Sequence, residues 1–298
     1  MEKRILGKTG MNVSVLGFGA AEIGYEGADQ ADVDKLLASA LDLGLNAIDT
    51  AECYVDSEEK LGRSIGNRRK DYFLFTKCGH AGNYFTGAWS AKEIEASIDK
   101  SLKNLKTDYV DLVQLHSCDK EILKKGEAIQ ALQKAKTAGK TRFIGYSGDG
   151  EDALQAIDMD VFDTLQTSVS ILDQECIDEL LPRAKEKNMG VIAKRPIGNA
   201  VWRFKTKPDN EYVVEYWQRL QKLAYDFAGG DEAAVSDKAL RFTLSQPGVC
   251  TMIVGTTKPG RWPENADLVA KGPLSQGEIK AIRDRWSAVA DKSWVGQV

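Results

Sequence analysis

The sequence predicts an α/β protein: a (β/α)8 TIM barrel with an N-terminal β-hairpin and extra C-terminal helices. Three observations carry this. Eight short apolar runs occur along the 298 residues, and continuous apolar strands mark a parallel sheet buried on both faces. Most of them are separated by a helical pattern, as the crossovers of parallel strands require. Eight such units in about 250 residues suit a closed barrel better than an open sheet. No Pro/Ser-rich linker, composition break or fixed-period repeat divides the chain, so residues 1–298 read as one domain.

The elements follow in order. The first dozen residues, with Gly7-Lys8-Thr9-Gly10, read as a hairpin ahead of the barrel. The strands are expected at 14–19, 46–50, 72–77, 109–116, 141–147, 164–167, 191–195 and 251–255. Val33, Leu36, Leu37, Ala40 and Leu41 form an amphipathic helical stripe that Gly44 stops. Ser90 with Glu93 is a capping box, followed by Ile94, Ile98, Leu102 and Leu105. Ile122, Ile129 and Leu132 mark one further helix, ended by Gly139. Ser275 with Glu278 opens a last helix carrying Ile279, Ile282, Trp286 and Val289. That helix and residues 211–228 stand outside the eight-fold pattern.

Composition excludes several functions. Forty Lys+Arg against forty-four Asp+Glu give a net charge of −4, which is no footprint for nucleic acid. No apolar run approaches membrane-spanning length. Met1-Glu2-Lys3-Arg4 has no apolar stretch behind it, so no signal peptide is expected. The cysteines (53, 78, 118, 176 and 250) lie far apart without a CxxC pair, against a zinc ribbon or a disulfide framework. With only His80 and His116, no metal is expected. The expectation is a cytoplasmic protein with reduced cysteines. Its oligomeric state is left open.

The informative feature is what ends each strand. The runs stop at Asp49, Lys77, His116, Ser147 and the pair Lys194-Arg195. In a parallel barrel these ends share one mouth, where barrel active sites are built. Singly, each is an ordinary turn residue. Together they place an acid, a base and an imidazole at one rim. Apparent motifs elsewhere fail on spacing. Gly17-Phe18-Gly19 lacks the third glycine of a dinucleotide fingerprint, because Glu22 stands there. Gly7-Lys8-Thr9 and Gly139-Lys140-Thr141 lack the upstream glycine of a phosphate loop.

The ordered set resembles the aldo-keto reductase superfamily. Asp49-Thr-Ala-Glu-Cys-Tyr54 resembles its second-strand motif, Thr76-Lys77 the third-strand lysine, and Leu115-His-Ser-Cys-Asp119 its fourth-strand motif. Gly145-Tyr-Ser147 and Gln166 resemble the nicotinamide-amide contacts. Gly255-Thr256-Thr257, Arg261, Glu264 and Asn265 resemble the adenosine-phosphate segment. The opening Arg4-x-Leu6-Gly7-x-Thr9-Gly10 and Leu16-Gly-Phe-Gly19 match as well. The resemblance spans nearly the whole chain, in order.

It implies reduction of a carbonyl by NADPH without a metal. Tyr54 would be the general acid, Lys77 would lower its pKa, Asp49 would hold Lys77, and His116 would orient the carbonyl. The pattern also departs from the family. Gly148 stands where an asparagine is usual, and Lys194-Arg195-Pro196-Ile197-Gly198 replaces a segment that opens with a stacking aromatic. Lys194 and Arg195 are read either as approaching the pyrophosphate or as facing solvent. Gly255 stands where many members have a lysine, which leaves Arg261 for a 2′-phosphate.

The substrate, a small carbonyl compound, is expected to meet Glu22, Tyr84, Trp89 and Trp202 on the mouth loops. Cys53, beside Tyr54, reads as a small hydrophobe. Two other classes fit the same residues. One is a nucleotide-sensing regulatory subunit with little turnover. The other is a barrel lyase or isomerase that uses Lys77 as a Schiff base.

Overall fold

The computed structural model describes residues 1–80 and 87–297. Strands β1 (Lys3–Ile5) and β2 (Asn12–Ser14) pair antiparallel, with Arg4 opposite Val13. Eight more strands run parallel. They are β3 (Leu16–Gly19), β4 (Ala47–Asp49), β5 (Phe73–Cys78), β6 (Val110–His116), β7 (Thr141–Ser147), β8 (Thr164–Ser168), β9 (Gly190–Lys194) and β10 (Val249–Val254). Each lies beside its neighbour in sequence, and β10 pairs with β3 to close the barrel. The eight runs expected from sequence are these strands, with ends matching to within two residues.

Side chains alternate between the helix-facing surface and the lumen, so a step of two residues keeps the same face. Ala47, Phe75, Leu112 and Ile192 form an apolar lumen layer together with Leu6, Met11 and Val13 of the hairpin. Two residues further along the same strands stand Asp49, Lys77, Gln114 and Lys194. The hairpin therefore covers the apolar N-terminal end of the barrel, and the polar residues gather at the other end. That gradient within each strand positions the site.

Helices cover the outside. Helix Gln30–Asp42 buries Val33, Leu36, Leu37, Ala40 and Leu41, each larger side chain contributing about 1.5–3 kcal/mol. Both expected capping boxes form, at Ser90 with Glu93 and at Ser275 with Glu278. One expectation is corrected. The helix read from Ile122, Ile129 and Leu132 is two helices, Lys120–Lys125 and Glu127–Thr137. Gly126 breaks it at φ 75°, a left-handed conformation that costs glycine little. The seven-residue step from Ile122 to Ile129 preserves the helical phase across the break and so conceals it. The added helices Glu211–Leu223 and Gln276–Val289 bury Tyr216, Leu220, Ile282 and Trp286 in a second apolar cluster that includes Ile171 and Leu172, just after β8. Among the described residues no helix is long and apolar enough to cross a membrane.

Candidate active site

Asp49 is the hub of the mouth. Its Oδ2 accepts a hydrogen bond from Lys77 Nζ at 2.5 Å. Its Oδ1 accepts from Gln166 Nε2 at 2.9 Å and from Gln114 Nε2 at 3.2 Å. Lys77 also donates to the Thr50 carbonyl at 2.9 Å. Asp49 and Lys77 are each 1% exposed. An ion pair so removed from water is held by geometry and by its further hydrogen bonds.

Tyr54 reaches this pair from the turn after β4. Its hydroxyl lies 3.4 Å from Lys77 Nζ, which sits 4.9 Å from the ring centroid. Glu52 ties the turn to the end of β5 by accepting the backbone N–H groups of Gly79 and His80 at 2.8 and 2.9 Å. On the other side, a Cβ on Gly24 would run into the Tyr54 carbonyl, so glycine lets the short helix Ala21–Tyr25 lie against the turn. His116 ends β6 with its ring edge-on to Tyr54, centroids 5.7 Å apart at 79°. Asp49, Tyr54, Lys77 and His116 thus form one contiguous cluster.

Burial and the Asp49 carboxylate push the Tyr54 phenol well above its ordinary value. The net direction is therefore up, opposite to the lowering expected from Lys77, because burial outweighs it. The ammonium is matched by Asp49 at 2.5 Å, so the phenol faces an ion pair and not a lone cation. Burial and the Lys77 charge hold His116 far below the usual imidazole value. Its ring is therefore neutral at pH 7, with one N–H to offer.

Two further groups of residues suit a dinucleotide. Ser147 and Gln166 end or cross β7 and β8, both buried, with Ser147 Oγ donating to Gln166 Oε1 at 3.3 Å. A hydroxyl and an amide side by side complement a carboxamide. Asn199, next to Gly198, carries a buried amide nitrogen with no hydrogen-bond partner among the described residues. Across the mouth, β10 runs into Gly255, Thr256 and Thr257, and helix Arg261–Ala270 starts just beyond. An arginine at a helix start favours a phosphate. Arg261 is exposed and pairs with Glu264 at 2.8 Å, while Asn265 is buried. Glu22 belongs to this side of the mouth. A Cβ on Gly255 would run into its carboxylate, and burial pushes that carboxyl up to about 7.

Lys194 and Arg195 do not face solvent, their side chains being 11% and 12% exposed. Lys194 Nζ lies 2.7 Å from Asp149 Oδ2. Asp149 Oδ1 in turn accepts from Thr167 Oγ1 at 2.8 Å and from the Ser168 amide at 2.7 Å. Arg195, at φ 55°, donates to Tyr212 OH and Ser168 Oγ, both at 2.9 Å. The chain then turns through Pro196 and Ile197 into Gly198, at φ 47° against Leu172. Of the loop residues, Trp89 packs on His80, ring centroids 5.4 Å apart. Trp202 packs against the second apolar cluster. Tyr84 lies outside the described residues. Sequence reasoning missed Gln114, Asp149 and Tyr212. Gln114 was findable, because it stands two residues before His116 on the same face of β6. Asp149 and Tyr212 carry no such signal, since their partners come from distant segments. Among the described residues no group of three or more His, Cys, Asp or Glu side chains is placed to hold a metal ion.

Comparison with known proteins agrees with the barrel fold. The model of the aldo/keto reductase family matches residues 15–286. L-galactose dehydrogenase of Arabidopsis thaliana is 31% identical over 286 residues, covering 91% of this chain and 89% of that one. The 6-dehydroglucose reductase of Novosphingobium aromaticivorans is 30% identical over 301 residues, covering 96% and 93%. Among solved structures, the holo form of aldo-keto reductase AKR11C1 from Bacillus halodurans is similar at a TM-score of 0.84 and 26% identity, covering 98% of each chain.

Proposed function

The chain belongs to the aldo/keto reductase family of oxidoreductases, and from that membership we propose that it interconverts a carbonyl and an alcohol with NADPH as its cofactor. The observation that carries the proposal is the buried cluster of Asp49, Lys77, Tyr54 and His116. The family uses a nicotinamide cofactor, which when bound supplies or takes up the hydride. Ser147 and Gln166 would hold its carboxamide end. Gly255, Thr256, Thr257, Arg261 and Asn265 would hold its adenosine-phosphate end, with Glu264 as the present partner of Arg261.

The chain's own residues handle the proton. Tyr54 keeps its hydroxyl proton at neutral pH, so the acid is loaded whenever a carbonyl arrives. The proton passes from Tyr54 Oη to the carbonyl oxygen as negative charge develops there. Lys77, 3.4 Å from that hydroxyl, stabilises the tyrosinate left behind. Asp49 keeps Lys77 aimed. Neutral His116 donates its N–H to the carbonyl oxygen and fixes its orientation. A positioned general acid contributes typically ~10²–10⁴-fold.

The substrate class we favour is a sugar or a sugar-derived carbonyl. L-galactose dehydrogenase and 6-dehydroglucose reductase carry sugars in their names, and Glu22, Arg195 and Tyr212 make this mouth polar. The test follows NADPH absorbance over a panel of aldoses, oxidised sugars and simple aldehydes, with the alcohols and NADP⁺ in the reverse direction. Turnover of a sugar substrate that Tyr54→Phe abolishes supports the proposal. Tight NADPH binding with no turnover across the panel would replace it with a nucleotide-sensing role.

A further inference from the structure

Arg195 follows the last residue of β9 and meets Tyr212, in the first turn of helix Glu211–Leu223. Its Nε donates to Tyr212 OH and its Nη1 to Ser168 Oγ, both at 2.9 Å. The guanidinium stands 5.4 Å from the centroid of the Tyr212 ring. Asp149 lies 4.0 Å from Nη1, but its carboxylate is shared with Lys194, whose Nζ is closer at 2.7 Å. One carboxylate thus serves two cations. Asp173 does not make up the difference, because it accepts from Tyr216 OH at 2.8 Å and has Arg219 at 3.8 Å. A positive charge is left in surplus on a largely buried side chain. Two donors there have no acceptor among the described residues: Arg195 Nη2 and the hydroxyl hydrogen of Tyr212, whose oxygen already accepts. Both residues belong to the surroundings of the reacting groups. Tyr212 is close enough to Tyr54 to join burial, Asp49 and Cys53 in raising that phenol. Lys194 and Arg195 are close enough to His116 to join burial, Lys77 and His80 in holding that imidazole low.

From these two donors we propose that Arg195 and Tyr212 recognise a carboxylate on the substrate, so that the compound turned over here is a carbonyl acid: a sugar acid, or a short aldehyde acid with its carboxylate at the end away from the carbonyl. The inference rests on the reading of this mouth as a carbonyl site. A carboxylate offers two oxygens to the two donors, and hydrogen bonds to it are charge-assisted. Its single negative charge matches the single surplus positive one, whereas a phosphate monoester brings nearly two. The protein gains as well, because a largely buried guanidinium receives the counter-charge that Asp149 gives mainly to Lys194. With its carboxylate held on the Arg195 side, the substrate presents its other end to Tyr54 and His116, which selects the carbonyl that reacts. A neutral sugar puts only hydroxyls there and leaves the charge unmet.

The test follows NADPH absorbance with matched pairs, D-glucuronate against D-glucose and succinic semialdehyde against butanal, and with glucose 6-phosphate as a further arm. Wild type is expected to favour each acid by about tenfold or more in kcat/KM, chiefly through KM. Arg195→Gln should lower the acid-to-neutral ratio about 10- to 100-fold, the factor a charge-assisted hydrogen bond is worth. NADPH affinity, read by fluorescence titration, should be unchanged. Tyr212→Phe keeps the ring at a half-exposed position and should lower the ratio about three- to tenfold. It carries the test if Arg195→Gln does not fold. Equal kcat/KM for acid and neutral partner in wild type, or a preference for the phosphate, overturns the inference. So does a loss in Arg195→Gln that is equal for both members of a pair and comes with weakened NADPH, which would give Arg195 to the cofactor's pyrophosphate. If wild type turns over none of the panel, the carbonyl reading fails by itself. Calorimetry of D-glucuronate and D-glucose on the NADP⁺ complex then decides the carboxylate site. Binding of the acid alone, removed by Arg195→Gln, upholds it, and equal binding or none overturns it.

Discussion

Replacing Lys77 by methionine should cost stability as well as activity, and neutralising its partner should recover only the stability. Lys77 and Asp49 are each 1% exposed and 2.5 Å apart. Removing one member of a buried pair leaves the other charge uncompensated, at ~3–5 kcal/mol. Two details move the figure in opposite directions. Asp49 keeps its bonds from Gln166 and Gln114, which softens the loss. The Thr50 carbonyl loses the donor at 2.9 Å, which adds to it by about 1–3 kcal/mol if left unmet. A net destabilisation of about 3 kcal/mol follows, or a fall in Tm of roughly 6–12 °C for a chain of this size. Asp49→Asn in the same chain removes the stranded charge while keeping an oxygen for the two glutamines. The double variant should therefore be more stable than Lys77→Met alone, since an absent buried pair costs far less than half of one. Its reductase rate should nevertheless stay at least ~10²-fold below wild type. Denaturant unfolding and NADPH consumption measured on the same four proteins check this. Losses in the double variant that simply add would show that the two residues do not act as a pair.

Other outcomes follow from the same geometry. Tyr54→Phe should leave NADPH binding near wild type and cut turnover by ~10²-fold or more, measured by fluorescence titration beside steady-state rates. With the Tyr54 phenol raised above its usual value, it stays protonated across the neutral range. The reduction rate should accordingly show no loss of the acid below about pH 9, and a limb near 7 that vanishes in Tyr54→Phe would contradict this. Arg261→Ala should weaken NADPH about 10- to 100-fold and barely change NADH, as loss of a charge-assisted phosphate contact requires. Equal affinities for the two nucleotides in wild type would remove the basis for it. Glu22, pushed up to about 7 beside Gly255, is charged above that pH and neutral below it. A polyanion bound there favours the neutral form, so cofactor affinity should fall as pH rises through about 7. Glu22→Gln should bind more tightly at pH 8 and flatten that dependence, as calorimetry can read.

The barrel was legible because its signal is repeated. Each strand from 46–50 to 251–255 carries the same short apolar run, and one misjudged run would not have changed the architecture. The strand ends were legible for a related reason. Asp49, Lys77 and His116 interrupt apolar runs, and a polar residue there has only the mouth to face. The residues that were not legible are those whose partners lie far along the chain. Asp149 meets Lys194 across 45 positions and Arg195 meets Tyr212 from a helix outside the repeat. Nothing local announces either contact. The break at Gly126 was hidden by a spacing that fits one helix and two alike. The pKa direction of Tyr54 was misjudged because its largest cause is burial of the phenol, which the motif spacing does not show.

Asp49 does more in this arrangement than hold a lysine. Its second oxygen carries Gln166 Nε2 at 2.9 Å, and Gln166 Oε1 in turn accepts from Ser147 at 3.3 Å. The buried Asp49–Lys77 pair and the residues that suit a carboxamide are therefore one hydrogen-bonded chain, Lys77–Asp49–Gln166–Ser147. In such a chain the carboxylate fixes which way the glutamine amide faces, because only the NH₂ end can approach it. The amide oxygen is consequently turned towards Ser147. Exchanging Asp49 for asparagine weakens that constraint even though the side chain keeps its size. Its effect should then reach beyond the lysine to the cofactor side of the mouth, where Tyr54→Phe, which touches no member of this chain except Lys77, should have none.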